Sequence, residues 1–150
     1  MNAVLGGTLL GLAAAKAGSA RLSPGPDRLV LATEYRRGLP RAMAFTVGNV
    51  VVTRLDREAL LARPALLAHE ARHAGQWACW LGLPFLPAYA VASAWSWVRT
   101  GDPWSRNAFE RRAGLASGGY QEARPRPILR RRRRRARTGP WSGGPNPLAL

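Results

Sequence analysis

Both histidines of this 150-residue chain sit four residues apart, in His69-Glu70-Ala71-Arg72-His73. That pair constrains the fold more than any other feature. On an α-helix, residues i and i+4 lie one turn apart on one face, so both imidazoles can reach a single tetrahedral ion. Glu70 falls one residue round the helix, where its carboxylate can reach a metal-bound water without ligating the metal. A hydrolytic zinc site requires this arrangement: the metal acidifies the water and polarises a carbonyl, and the glutamate takes the proton. The bland alternative is two helical histidines that merely hydrogen-bond near a core.

The surrounding sequence supplies a helix for the motif. Pro64 suits a first helical position, and Leu66, Leu67, Ala71, Ala74 and Ala78 can face a core, with Gly82 and Pro84 ending the run. Residues 87–98, dense in Ala, Trp, Tyr and Val, read as a second helix. Gly101-Asp102-Pro103 is a turn, and Asn107 caps a third helix running through Phe109 to about Leu115. Upstream, Ser23-Pro24-Gly25-Pro26-Asp27 breaks the N-terminal segment, and Arg28 to Tyr35 reads as a strand. Gly38-Leu39-Pro40 marks a loop. Phe45-Thr46-Val47 and Val50-Val51-Val52-Thr53 read as a hairpin across Gly48-Asn49, or as one bulged strand.

A catalytic zinc takes three protein ligands and keeps its fourth position for water. There is no third histidine. Cys79 lies six residues past His73, about a third of a turn out of line. The acids downstream of the motif are Asp102, Glu110 and Glu122. Asp102 falls in a turn and Glu122 at the start of a tail, so Glu110, on the third helix, is the expected ligand. It has a competing role, because Asn107 followed by Glu110 is also a capping-box pattern.

These residues carry a resemblance. Phe45-Thr46-Val47-Gly48-Asn49-Val50, followed after a linker by Leu66-Leu67-Ala68-His69-Glu70-Ala71-Arg72-His73-Ala74-Gly75-Gln76, resembles short bacterial metallopeptidase domains of gluzincin type. Similar domains occur in proteins associated with extracellular contractile injection systems. That pattern is a Thr-x-Gly strand, then HExxHxxQ, then an Asn-x-x-Glu-x-x-Ala helix, which Asn107, Glu110 and Ala113 match. The resemblance spans about residues 44–116. It implies an α+β, minimal zincin-like fold: a short antiparallel β-hairpin or small sheet beside an active-site helix and two further helices. It also implies zinc-dependent hydrolysis of a peptide or protein substrate, and places Gln76 in the motif as a residue orienting a ligand. Residue spacing alone leaves Gln76 equally readable as a solvent-facing glutamine. Arg72 reads as a surface or ion-pair residue. The Tyr or His that steadies the oxyanion in larger zincins has no placed counterpart, so a catalytically inactive zinc-binding or docking module stands as the alternative.

Charge and composition bear on partners. The formal net charge is +15, but residues 123–150 hold nine arginines and no acid. Abundant Ala, Gly and Pro with a single lysine match a GC-rich codon bias, which weakens an argument from arginine number. The expected organisation is an apolar N-terminal segment at 1–22, a metal-binding domain at 23–120 and a disordered Arg/Pro/Gly-rich tail at 121–150. The N-terminal segment reads as a helix packing on the domain, with a signal peptide as the alternative. The Arg run at 130–137 can contact nucleic acid or anionic lipid without specificity. Residues 77–98 hold no charge and are long enough to span a bilayer, but Pro84 and Pro87 favour a helix buried beneath the active-site helix. A cytoplasmic location is expected, with membrane association or secretion as alternatives. One cysteine excludes an internal disulfide.

Overall fold

The computed structural model describes residues 6–37 and 42–126. It is an α+β fold in which a four-stranded mixed sheet lies between an N-terminal helix and the helix carrying the histidines. The elements are α1 (Gly7–Ala17), β1 (Arg21–Pro24), β2 (Val30–Thr33), β3 (Ala44–Val47), β4 (Val50–Thr53), α2 (Arg57–Leu61), α3 (Pro64–Cys79), α4 (Phe85–Thr100) and α5 (Ala108–Ala113). Single 3-10 turns occupy Pro26–Arg28 and Leu115–Gly118.

Strand order is β1-β2-β4-β3, with β2 and β4 parallel and the outer pairs antiparallel. Alternation of side chains sorts the sheet into two faces. Leu31, Ala44 and Val51 pack with Leu60 of α2 and with Leu66, Leu67 and Ala74 of α3. Ala32, Val50, Val52 and Tyr35 pack with Ala15 of α1. β4 is buried at every position, because it lies inside the sheet with a helix on each side. A third cluster, Trp77, Phe85 and Phe109, joins α3, α4 and α5.

The β3–β4 turn is Gly48-Asn49, with Val47 paired to Val50. Gly48 has φ +65°, and a Cβ there would stand 2.4 Å from the carbonyl carbon of Gly7. The turn therefore needs glycine both for its left-handed backbone and for the approach of α1. Asn49 ties three segments together: its side-chain amide donates to the Arg28 carbonyl, its carboxamide oxygen accepts from Thr8 Oγ1, and its carbonyl accepts from Val30 N.

α1 packs on the sheet, as the helical reading of the N-terminal segment expects. Two elements differ from the sequence reading. Ser23-Pro24, read as a breaker, belongs to β1, whose edge position tolerates a proline. Arg57–Leu61, read as linker, is a short helix whose N-cap Asp56 accepts from Ala59 N at 2.7 Å. Residues 121–126 are placed rather than trailing free: Ala123 N donates to Ser105 Oγ and Arg126 N to the Arg99 carbonyl. The Gly38-Leu39-Pro40 loop and the Arg run at 130–137 lie outside the described residues. Among those residues, no helix is long and apolar enough to cross a membrane. The 77–98 stretch is broken between Trp80 and Pro84, and α4 is not the buried helix expected there. Much of its apolar side is exposed.

Gly48→Ala should lower unfolding stability by about 2 kcal/mol or more, because backbone strain and contact with α1 act together. A thermal melt checks this; an unchanged midpoint would show that α1 does not need the close approach.

Candidate metal centre

α3 carries two adjacent stripes, each repeating over seven residues or two helical turns. Glu70 and Trp77 face β3. The Thr46 hydroxyl donates to Glu70 Oε2 at 2.7 Å, and the Trp77 indole donates to the Thr46 carbonyl at 3.1 Å. His69, His73 and Gln76 face α5. Glu70 and His69 are buried almost completely.

The histidine tautomers follow from their partners. His69 Nδ1 lies 3.1 Å from the Ala113 carbonyl and 3.0 Å from that of Gly114. Carbonyls only accept, so Nδ1 carries the proton and Nε2 presents a lone pair. The Gln76 amide nitrogen donates to the Phe109 carbonyl at 3.0 Å, which turns its oxygen toward His73 Nδ1 at 2.9 Å. His73 Nε2 is thereby also left as an acceptor.

The two Nε2 atoms stand 3.1 Å apart. Glu110 Oε2 is 3.4 Å from His69 Nε2, and Oε1 is 3.5 Å from His73 Nε2. Ligands about 2.0 Å from one tetrahedral ion are about 3.3 Å from each other, so these separations fit a shared metal ion. Two lone pairs and a carboxylate aimed at one point repel one another unless a cation or proton lies between them. Glu110 Oε2 is buried without a hydrogen-bond partner among the described residues, a cost that a bound cation would remove. His69, His73 and Glu110 therefore form a buried group able to hold a metal ion.

Glu110 does not close a capping box. Asn107 alone caps α5, accepting from Phe109 N at 2.9 Å, while its own N–H donates to the Trp104 carbonyl. With that N–H satisfied, the glutamate is free to turn inward, where Oε1 accepts from the Tyr89 hydroxyl of α4. The other downstream acids are engaged elsewhere. Asp102 Oδ2 accepts from Ser105 N and Oγ, and Glu122 pairs with Arg106 and Arg111. Cys79 is exposed.

The electrostatics follow this geometry. Burial would raise the Glu110 carboxyl, but His69, His73 and Tyr89 bring it down to about 2. Burial would lower the His69 imidazole, but Glu110 and Glu70 outweigh it, and its pKa is raised. Glu70 is raised by burial, which Thr46 and the imidazoles offset only in part. His69, Glu70, His73 and Glu110 line one cavity of about 300 Å³, together with Thr46, Tyr89 and Tyr120.

Several contributors carry no signal in the sequence. Arg72, read as a surface or ion-pair residue, is exposed but donates to the Ala113 carbonyl at 2.7 Å, beside His69. Tyr120 stacks on Trp104 and lines the cavity. Gly118 lies against the His69 ring, where a Cβ would stand 2.7 Å from Nε2. Thr46 and Gln76, by contrast, are legible in the sequence through the Thr-x-Gly and HExxHxxQ patterns.

No protein-family model, curated protein or solved structure matches the chain.

Gly118→Ala should weaken metal affinity about 10-fold or more by displacing His69, with the fold retained by circular dichroism. Titration calorimetry measures it; parent-like affinity would mean that the ion does not sit on His69 Nε2. Protons compete with metal for that nitrogen, and the His69 pKa is raised above its ordinary value. Affinity should therefore climb between about pH 6 and about pH 8. A flat profile would exclude His69 as a ligand.

Proposed function

We propose that the chain is a zinc-dependent metallopeptidase that hydrolyses a peptide or protein substrate, with His69, His73 and Glu110 as zinc ligands. The observation that carries this reading is Glu70: a carboxylate buried in the same cavity as the three ligands, held by Thr46, and raised in proton affinity. A purely structural metal site has no use for a second buried acid, whereas a hydrolytic site needs a base beside the ligands. Two histidines and a glutamate are a donor set of catalytic zinc, and they leave a position open. Zinc bound there supplies an acidified water and polarises the scissile carbonyl.

This chain's residues supply the rest. Glu70 takes the proton from the attacking water and delivers it to the leaving amine; its raised proton affinity brings it nearer the working pH of a general base. Thr46 fixes the carboxylate from the edge strand β3. Gln76 and the α5 carbonyls hold both imidazoles in the ligating tautomer. Burial and the nearby Glu110 charge raise the Tyr120 phenol, so it keeps its proton. Tyr89 spends its hydroxyl on Glu110, so we assign Tyr120 as donor to the developing oxyanion. The HExxHxxQ and Asn-x-x-Glu-x-x-Ala resemblance to gluzincin-type domains supports the assignment of His69, His73 and Glu110 as ligands and Glu70 as base.

Elemental mass spectrometry should find about one zinc per chain in the parent, lost in His73→Ala and Glu110→Ala. Glu70→Gln should keep the zinc and lower cleavage of a casein or peptide-library substrate about 10²- to 10⁴-fold. Tyr120→Phe should keep the zinc and lower turnover by about 10²-fold or more. A zinc-loaded parent that cleaves no better than Glu70→Gln would replace the enzyme with a zinc-holding docking module.

A further inference from the structure

Helix α4 turns more apolar surface outward than suits a helix bathed in water. A surface helix normally turns its apolar stripe to the core and its charged side to solvent. Here the inward side sets Phe85, Ala88 and Ala92 against Trp77 and Phe109 but also carries a row of hydroxyls. Ser96 is fully buried, donating to the Asp102 carbonyl and accepting from Arg106 N, each at 2.7 Å. Ser93 accepts from the Asn107 side chain at 2.9 Å, and Tyr89 donates to Glu110. The outward side is apolar: Leu83 and Leu86 at its start, then Val91, Trp95, Trp97 and Val98, are 44 to 71% exposed. From Trp77 to Gly101 the only charged residue is Arg99. The helix cannot roll to hide this face without breaking the Tyr89, Ser93 and Ser96 bonds.

Positive charge gathers at one end of the same face. Arg99 lies over the Trp95 ring and Arg126 over that of Trp97. The bond from Arg126 N to the Arg99 carbonyl, 2.8 Å, makes the described chain leave beside the end of α4. Arg130–Arg135 and Arg137 follow within a few residues, and no acid occurs after Glu122.

We propose that this face docks the protein on an anionic lipid bilayer, with α4 lying in the interfacial plane. The 16-residue helix is about 24 Å long, too short to cross the roughly 30 Å hydrocarbon core. Paired tryptophans with flanking arginines suit the headgroup level, and an apolar face combined with a basic segment provides the two signals that stable peripheral binding requires. Charge decides between a bilayer and a second copy of the chain. Two molecules of net charge +15 repel on approach, whereas acidic lipid attracts each arginine near its surface.

The test is flotation of the full-length protein with vesicles of equimolar phosphatidylglycerol and phosphatidylcholine, against phosphatidylcholine alone. Parent protein should float with the acidic vesicles and far less with the neutral ones. Val91→Glu and Trp95→Glu, both at exposed positions, should each reduce flotation about 10-fold while keeping the parent's circular dichroism melt. Three outcomes would overturn the proposal. The parent fails to float with acidic vesicles. The α4 variants float like the parent and only about 0.5 M salt releases them, which assigns binding to the arginines alone. Light scattering gives a dimer that Val91→Glu dissociates, which makes the face a contact between copies. None of these readings depends on whether the metal centre is catalytic.

Discussion

A six-residue helix cannot satisfy its own last carbonyls, and the way α5 meets that need organises the site. Its terminal acceptors, the carbonyls of Ala113 and Gly114, are met by His69 Nδ1 and the Arg72 guanidinium. The Phe109 carbonyl is met by Gln76. The helix ending thus fixes the histidine tautomer, and the histidine completes the helix ending. Without α5, the imidazoles of α3 would have no preferred face to present. Without α3, α5 would be too short to persist. Glu110 is delivered by the same contact, since docking the helix ends places its single carboxylate opposite both Nε2 atoms.

The sheet does for Glu70 what α5 does for the histidines. β3 is the edge strand nearest α3, and Thr46 accepts from Trp77 through its carbonyl while donating to Glu70 through its hydroxyl. Its position is set further back, by Gly48 and Asn49, which lock the hairpin to α1 and to the β2 start. A turn with one left-handed residue therefore reaches the carboxylate through a single strand, and a short fold can hold a buried acid without a second domain behind it.

How much of this could be read beforehand depended on whether the determinant is a side chain with a period or a backbone group without one. The α3 span was legible from Pro64, the apolar spacing and the stop at Gly82 and Pro84. The β3–β4 hairpin followed from Gly48-Asn49 between β-branched runs. Elimination among three acids led to Glu110, although its capping alternative could be dismissed only once the Asn107 N–H was seen bonded to Trp104. The carbonyls of Phe109, Ala113 and Gly114 carry no sequence mark, and Gly118 matters only through what stands in front of it. β1 was obscured because Pro24 signals a break, and α2 because five residues give too little periodicity to count. The orientation of α4 is hard to read for a different reason: a helix rich in Ala, Trp and Val looks like core from any side, and the face that turns inward mixes Phe85 with the hydroxyls of Tyr89, Ser93 and Ser96.

The order of the ligands along the chain has a topological consequence. His73 and Glu110 lie on helices separated by α4 and its flanking turns, so an ion joining them closes a loop of roughly 40 residues, which in an otherwise flexible chain costs several kcal/mol of closure entropy. Once closed, the loop confines α4 from both ends. A metal ion held by His69, His73 and Glu110 would then act as a clasp on the fold. Its release would loosen α4 and α5 first, while the strands, which pair with one another and pack on α1 outside that loop, stay assembled.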